Sequence, residues 1–360
     1  MNDGAVSRID RTDSTLDYWE YFAAEARRAG APLYESLSLG VCRDETLRTF
    51  ANGVRRGQPP GNILFGAVHF LLLRGARHPL RGFYRNLGGT DEGDPFPVFR
   101  DFVEANREML APLVAGRITN TNEVARSALL AAAFRAVARD AGEPLHLIEI
   151  GPSAGLNLIW DSYGLRYRRD GEVFTLGAQH AEVMLDCELR GDLKPPLGPT
   201  PRVASRVGLE RNPVDLSDPD ERDWLKALVW PDQVGRFERL EVALREFAKH
   251  EPRILEGDAL DLLPEALAGP PPREAVCVYH TMVTYQFTED MREAFDAILT
   301  LASLRRPVWR ISLEPSFSGE NALKAQVYRS GRMTERTLAR CHGHGDWLEW
   351  LEPTCQPPPP

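Results

Sequence analysis

Residues 149–157 read Glu149-Ile150-Gly151-Pro152-Ser153-Ala154-Gly155-Leu156-Asn157, an acid followed by Gly, Ser and Gly at every second position. Small residues at that spacing let a backbone turn tightly and come close to a ligand. The run is not a G-x-G-x-x-G, which would set a helix N-terminus against a pyrophosphate. A carboxylate at its head suits instead a ligand that offers positive charge or hydroxyl groups. Farther along, Glu210 closes the apolar run 203–209, Asp258 follows 253–256, and His280 closes 275–280. All three stand at the carboxyl ends of strand candidates, where open α/β sheets bind ligands. A neutral imidazole at position 280 could take a proton from a substrate, with Tyr285 shaping the same pocket. Glu123 and Arg126 open a helical run that leads straight into the first strand, so they could face the same crevice and touch substrate. Each of these residues also has a plainer reading. Glu210 could be a solvated strand-end charge, and Asp258 a turn residue ahead of an N-cap at Asp261. His280 could be a hydrogen-bonded core histidine, and Glu123 and Arg126 could be cap and surface charges.

The elements that must position these residues change character along the chain. Up to about Gly142, apolar residues recur at three- and four-residue spacing over 16–28, 44–56, 62–73, 97–114 and 122–140, with Asp44 and Asn122 as N-caps. Beyond Pro144, strand-like runs at 145–150, 203–209, 253–256, 275–280 and 307–313 alternate with helical ones at 156–163, 219–229, 231–249 and 289–301. Such alternation predicts a mostly parallel sheet covered on both faces. A hairpin is expected over 336–351, turning at 342–346, with His342 and His344 as turn residues rather than metal ligands. The segment 166–201 fits neither pattern. The chain therefore divides into a helical N-terminal cap (1–142), an α/β domain (143–353) and a Pro-rich tail (354–360).

The composition bounds the partners. Across 360 residues, 43 basic against 52 acidic side chains leave a net charge of −9, and no Lys or Arg run offsets it. Nucleic acid and membrane are thereby disfavoured as partners, and a small molecule is favoured. Five scattered cysteines form no C-x-x-C pair, which suits a reduced, cytoplasmic protein and suggests neither a disulfide framework nor a metal site. The longest apolar run, 63–73, is about half a membrane span. A homodimer is compatible with all of this.

Glu149-x-Gly151-x-Ser153-x-Gly155 resembles the first motif of class I methyltransferases, with Ser153 in place of the usual middle glycine. The resemblance implies a Rossmann-like domain that binds S-adenosylmethionine through Glu149, Gly151, Ser153, Gly155 and Asn157. It implies further that an acid ending the second strand holds the ribose and another near the third approaches the adenine, which Glu210 and Asp258 match. Glu210 lies 59 residues beyond Gly151, where a minimal domain needs about 20. Either 166–201 is an insertion or Glu188 is the ribose ligand. The whole chain also resembles a bacterial family grouped as a domain of unknown function, through 149–161, 212–216, 228–232, His280-Thr281, 121–126 and 347–351. The expectation is an S-adenosylmethionine-dependent methyltransferase for a small-molecule acceptor. Its rivals are a non-catalytic module of the same fold and, less favoured, a dinucleotide-dependent oxidoreductase.

Overall fold

The computed structural model describes residues 15–142, 144–250, 252–272, 274–315 and 321–353. The expected tail at 354–360 lies outside them. The chain forms two compact units, one running up to Thr121 and taking in Val214–Glu241, the other comprising Asn122–Pro213 and the chain from Val242 onward. The boundary drawn from the sequence at 142 thus differs from the packing at both Asn122 and Val214.

The first unit is helical. Its helices span Thr15–Arg28, Pro32–Arg43, Glu45–Ala51, Pro60–Leu73, Phe96–Ala105, Arg107–Gly116 and, from the later segment, Pro219–Ala227. They bury Trp19, Phe65, Phe99, Phe102 and Trp224 in one core. Local chemistry sets the ends: Asp44 accepts the Leu47 N–H as an N-cap, and Pro32 and Pro60 sit in first turns, where no N–H is needed. The run 97–114 is two helices rather than one. Asn106 ends the first and starts the second, with non-helical backbone and its amide bonded back to Phe102 O.

The second unit is an α/β/α sandwich around one sheet. Its strands are β1 (Leu145–Ile150), β2 (Gly164–Arg169), β3 (Glu172–Gly177), β4 (Met184–Arg190), β5 (Val203–Glu210), β6 (Arg253–Glu256), β7 (Ala275–Thr281), β8 (Val308–Glu314), β9 (Asn321–Arg329), β10 (Arg332–Cys341) and β11 (Trp347–Trp350). Among the described residues they form one eleven-stranded sheet in the order β3-β2-β4-β11-β10-β9-β8-β7-β1-β5-β6. The run β6-β5-β1-β7-β8 is parallel throughout. Its strands come in the order third, second, first, fourth, fifth, so the direction of winding reverses between β1 and β7. Both of those strands are buried along their whole length, as strands covered on two faces must be. One face packs Ile148, Ile150, Val276 and Val278 against Leu263, Leu267, Phe295 and Leu299 of helices Ala259–Ala268 and Glu289–Ala302. On the other face Tyr279 meets Phe134 of helix Arg126–Ala141, ring centroids 5.0 Å apart.

The expected hairpin is present as antiparallel β10 and β11. The unplaced segment forms β2, β3 and β4, which extend the sheet at its far end and account for the length between Gly151 and Glu210. The helix expected at 156–163 is a 3-10 segment, Leu156–Ser162, interrupted by non-helical backbone at Ile159. No helix among the described residues is long and apolar enough to cross a membrane.

Candidate functional site

The turn after β1 holds Gly151, Ser153 and Gly155 at φ +66°, +56° and +80°. Three left-handed residues in alternation explain the small-residue spacing, because only glycine adopts that conformation without strain. The glycines do not simply leave room for a ligand. A Cβ on Gly151 would lie 2.8 Å from Val283 Cγ2, and one on Gly155 would lie 2.8 Å from Ile254 Cδ1 and 3.2 Å from Phe247. The fold itself fills the space beside both.

Three side chains pin this turn. Glu210, at the end of β5, accepts the Ser153 N–H at 2.9 Å and the Asn212 N–H at 3.0 Å. Asn122 Oδ1 accepts the Leu156 N–H at 2.9 Å, and Ser127 donates to Asn157 Oδ1 at 2.7 Å. Asn122 is therefore not the helix cap its sequence position suggested; Ala125 occupies the cap of Arg126–Ala141. Two buried polar atoms of the turn, Ser153 Oγ and Asn157 Nδ2, have no hydrogen-bond partner among the described residues.

Glu149 is fully buried on the face covered by helix Arg126–Ala141. Its register partner on β7, Tyr279, donates to Glu149 Oε2 at 3.0 Å. Burial, reinforced by the charge of Glu210, pushes its pKa up to about 8 against the opposing effects of the Tyr279 bond and Arg126. Near neutrality Glu149 is a protonated acid, not the carboxylate its place in the motif suggested.

The end of β7 is organised by one carboxylate. His280 is fully buried, donates from Nδ1 to Glu314 Oε1 at 2.5 Å, and accepts at Nε2 from Arg310 Nε at 2.9 Å. Burial lowers its pKa, so it stays neutral with both ring nitrogens engaged. Glu314, at the end of β8, also accepts the N–H groups of Val283, Thr284 and Tyr285, each at 3.1 Å. Burial alone would raise its pKa, but the His280 bond and these amides hold it below the ordinary carboxylate value. Between His280 and this cradle, Met282 takes φ +58°, a rare conformation for a bulky side chain. Tyr285 is largely exposed at 43%.

The β10–β11 turn joins the same edge. Arg126 donates from Nε to Gly343 O at 2.8 Å and reaches Thr281 Oγ1 at 3.4 Å. Glu123, 4% exposed, accepts the Ala125 N–H, and its other oxygen lies 3.3 Å from His344 Nδ1. His342 pairs with Asp346 at 2.8 Å. No group of three or more His, Cys, Asp or Glu side chains able to hold a metal occurs among the described residues.

The structure thus gathers Glu149, Gly151, Ser153, Gly155, Asn157, Glu210, His280, Tyr285, Glu123 and Arg126 around the carboxyl edge of β1, β5 and β7. Asp258 is spent locally: it is the N-cap of Ala259–Ala268, accepting from Leu260 at 2.9 Å, and pairs with Arg211. The cap expected at Asp261 thus falls three residues earlier. Glu188 is excluded as a partner of the turn, since it lies on β4 with five strands between it and β1, paired with Arg190. The sequence reading missed Glu314, His344 and the tie made by Asn122. A signal was present for Glu314: β5, β6 and β8 all end in glutamate, and 307–313 stops one residue short of it.

The chain belongs to the bacterial family described as "Uncharacterized protein conserved in bacteria (DUF2332)", which matches residues 17–350. No curated protein and no solved structure matches it.

Proposed function

We propose that this family member is a Rossmann-like, class I S-adenosylmethionine-dependent methyltransferase that acts on a small-molecule acceptor in the cytoplasm. The observation that carries the reading is the position of the turn 151–157. It follows the first of five parallel strands, at the point where the winding reverses, which is where doubly wound sheets take their ligands. The unpartnered Ser153 Oγ and Asn157 Nδ2 fit a ligand rich in polar groups there, and Glu210 at the end of β5 fits a ribose. When bound, S-adenosylmethionine supplies a methyl group on a positively charged sulfur. The residues that would hold it are Ser153, Asn157 and Glu210, with Asp258 left to its cap and Glu149 shaping the turn from beneath as a neutral acid.

The chain's own part is to hold an acceptor at near-attack geometry and to take its proton. His280, with both nitrogens engaged, positions Glu314 and through it the 283–285 turn. The proton falls instead to His344, which the buried Glu123 orients, with Arg126 beside Thr281 to bind an acceptor's polar group. The filled space at Gly151 and Gly155 favours a second reading, a non-catalytic module of the same fold. Calorimetry with S-adenosylmethionine, S-adenosylhomocysteine and NADPH tests the proposal. A ligand bound only by the native state adds roughly 2.7 kcal/mol at about 100 times its dissociation constant, a shift readable in the melting temperature. Binding of NADPH alone would overturn the reading. Binding of S-adenosylmethionine without S-adenosylhomocysteine production across an acceptor panel would favour the module.

A further inference from the structure

The amino edge of the same strands carries a different constellation. His146, second residue of β1 and 6% exposed, has its Nδ1 2.6 Å from Ser205 Oγ on β5, and its Nε2 bonds to Glu274, the residue just before β7. Ser205 itself is exposed. It lies five residues before Glu210, about 17 Å along the strand from the carboxyl edge.

The hydrogen bonds fix the tautomer. Glu274 can only accept from Nε2–H, so Nδ1 presents its lone pair to the Ser205 hydroxyl, the arrangement that activates a serine nucleophile. Two further observations set Ser205 apart from a routine cross-strand pair. The register between β1 and β5 shifts here, Leu145 facing Val203 and His146 facing Ser205, so Ala204 has no counterpart. Such a bulge re-aims the neighbouring side chain. On its other side β5 gains a partner strand only from Val207, where β6 begins, which leaves the segment holding Ser205 uncovered by that strand.

We propose that Ser205, His146 and Glu274 form a second reactive site, a serine nucleophile that takes an acyl group from a small activated ester. The Ser205 proton passes to His146 Nδ1 as Oγ bonds to the ester carbonyl carbon. The tetrahedral adduct collapses with loss of the alcohol, which takes its proton back from His146, while Glu274 pairs with the transient imidazolium. Water, deprotonated by the same nitrogen, then releases the acid and restores the serine. This site is independent of the methyltransferase reading.

The test uses the full-length protein and a fluorophosphonate, whose phosphorus takes the place of the carbonyl carbon and whose fluoride leaves. Intact-mass measurement and peptide mapping should find one adduct, on Ser205. Ser205→Ala should abolish it, and His146→Gln and Glu274→Gln should each slow it at least tenfold while circular dichroism shows the variants folded. Hydrolysis of p-nitrophenyl acetate should fall in parallel. The proposal is overturned if the native protein gives no Ser205 adduct, or if labelling is equally fast in urea or in folded His146→Gln.

Discussion

The two edges of the parallel strands use the same residue types in opposite ways. At the amino edge, the His146 ring is bonded at both nitrogens, to Ser205 and Glu274, and neither His146 nor Ser205 takes the left-handed conformation. At the carboxyl edge burial raises the pKa of Glu149, Ser153 Oγ and Asn157 Nδ2 lack partners among the described residues, and Ser153 and Met282 stand in left-handed conformation shortly after β1 and β7. Elsewhere, Asp170 and Ser330 take the same conformation ahead of a glycine in two-residue hairpin turns, where it is routine. Left-handed, non-glycine backbone outside a hairpin turn, gathered at the carboxyl edge, is the kind of local strain that makes this edge the candidate site.

Four substitutions would break or sharpen that contrast. Glu314→Ala should cost the most, about 3–5 kcal/mol in urea unfolding, because it strands three backbone N–H groups and the His280 ring proton. A loss below about 1 kcal/mol would mean the carboxyl edge does not depend on this carboxylate. Gly155→Val should cost about 2–4 kcal/mol through the collision with Ile254 and the left-handed backbone. An unchanged melting temperature would show instead that the space there is open to a ligand.

The third test is pH. With its folded pKa raised to about 8, Glu149 binds a proton in the native state that the unfolded chain has released above the ordinary glutamate value of 4.5. Its contribution is therefore full below about 4.5 and declines as pH rises toward 8. Glu149→Gln should remove that slope, so the variant gains on the wild type between pH 5.5 and 8.5; parallel curves would place Glu149 in a wetter setting. His69 in the helical unit supplies the opposite sign. Its pKa is lowered to about 4 by burial, so its contribution is kept above 6.5 and lost as pH falls toward 4. The smallest effect belongs to Ser153→Gly, which relieves the left-handed backbone and removes an unpartnered hydroxyl. It should stabilise the ligand-free protein by about 1 kcal/mol, read from its melting temperature. A destabilised variant would show that Ser153 Oγ already has a structural task.

The strands that carry the candidate site were legible because β1, β5, β6, β7 and β8 are short apolar runs bounded by turn residues, and the turn 151–157 because its small residues recur at a fixed interval. What escaped was nonlocal. At the sheet edge β3 is exposed or half-buried along its whole length, and its apolar residues, Val173, Phe174 and Leu176, do not alternate with polar ones, so nothing announced 172–177 as a strand. Helix Pro32–Arg43 interleaves Gly40 and Ser38 with its apolar residues and went unread. Asn122 looked like a helix cap because caps are local, whereas its true partner, Leu156, is 34 residues away. The pairing of Glu123 with His344 needed the β10–β11 turn to be placed beside β7, which spacing cannot reveal. Asp258 went the other way. A local cap explains it fully, and the motif had assigned it a distant task.

The interruption of the second unit by 214–241 governs the order in which a nascent chain can finish folding. The helical unit cannot complete its core until that segment leaves the ribosome: His69 bonds to Ala227 across 158 residues, and Leu33 to Asp232 across 199. Until then the helical unit waits half-built, and β1 to β5, already emerged, wait still longer for β6, β7 and β8. Loops of that length slow folding and leave apolar surface exposed meanwhile. A fragment cut at residue 142 would carry Trp224 and Leu228 without the helices that bury them. Slow elongation through 214–241, or a chaperone engaged there, would be felt in the yield of native protein more than changes near either terminus.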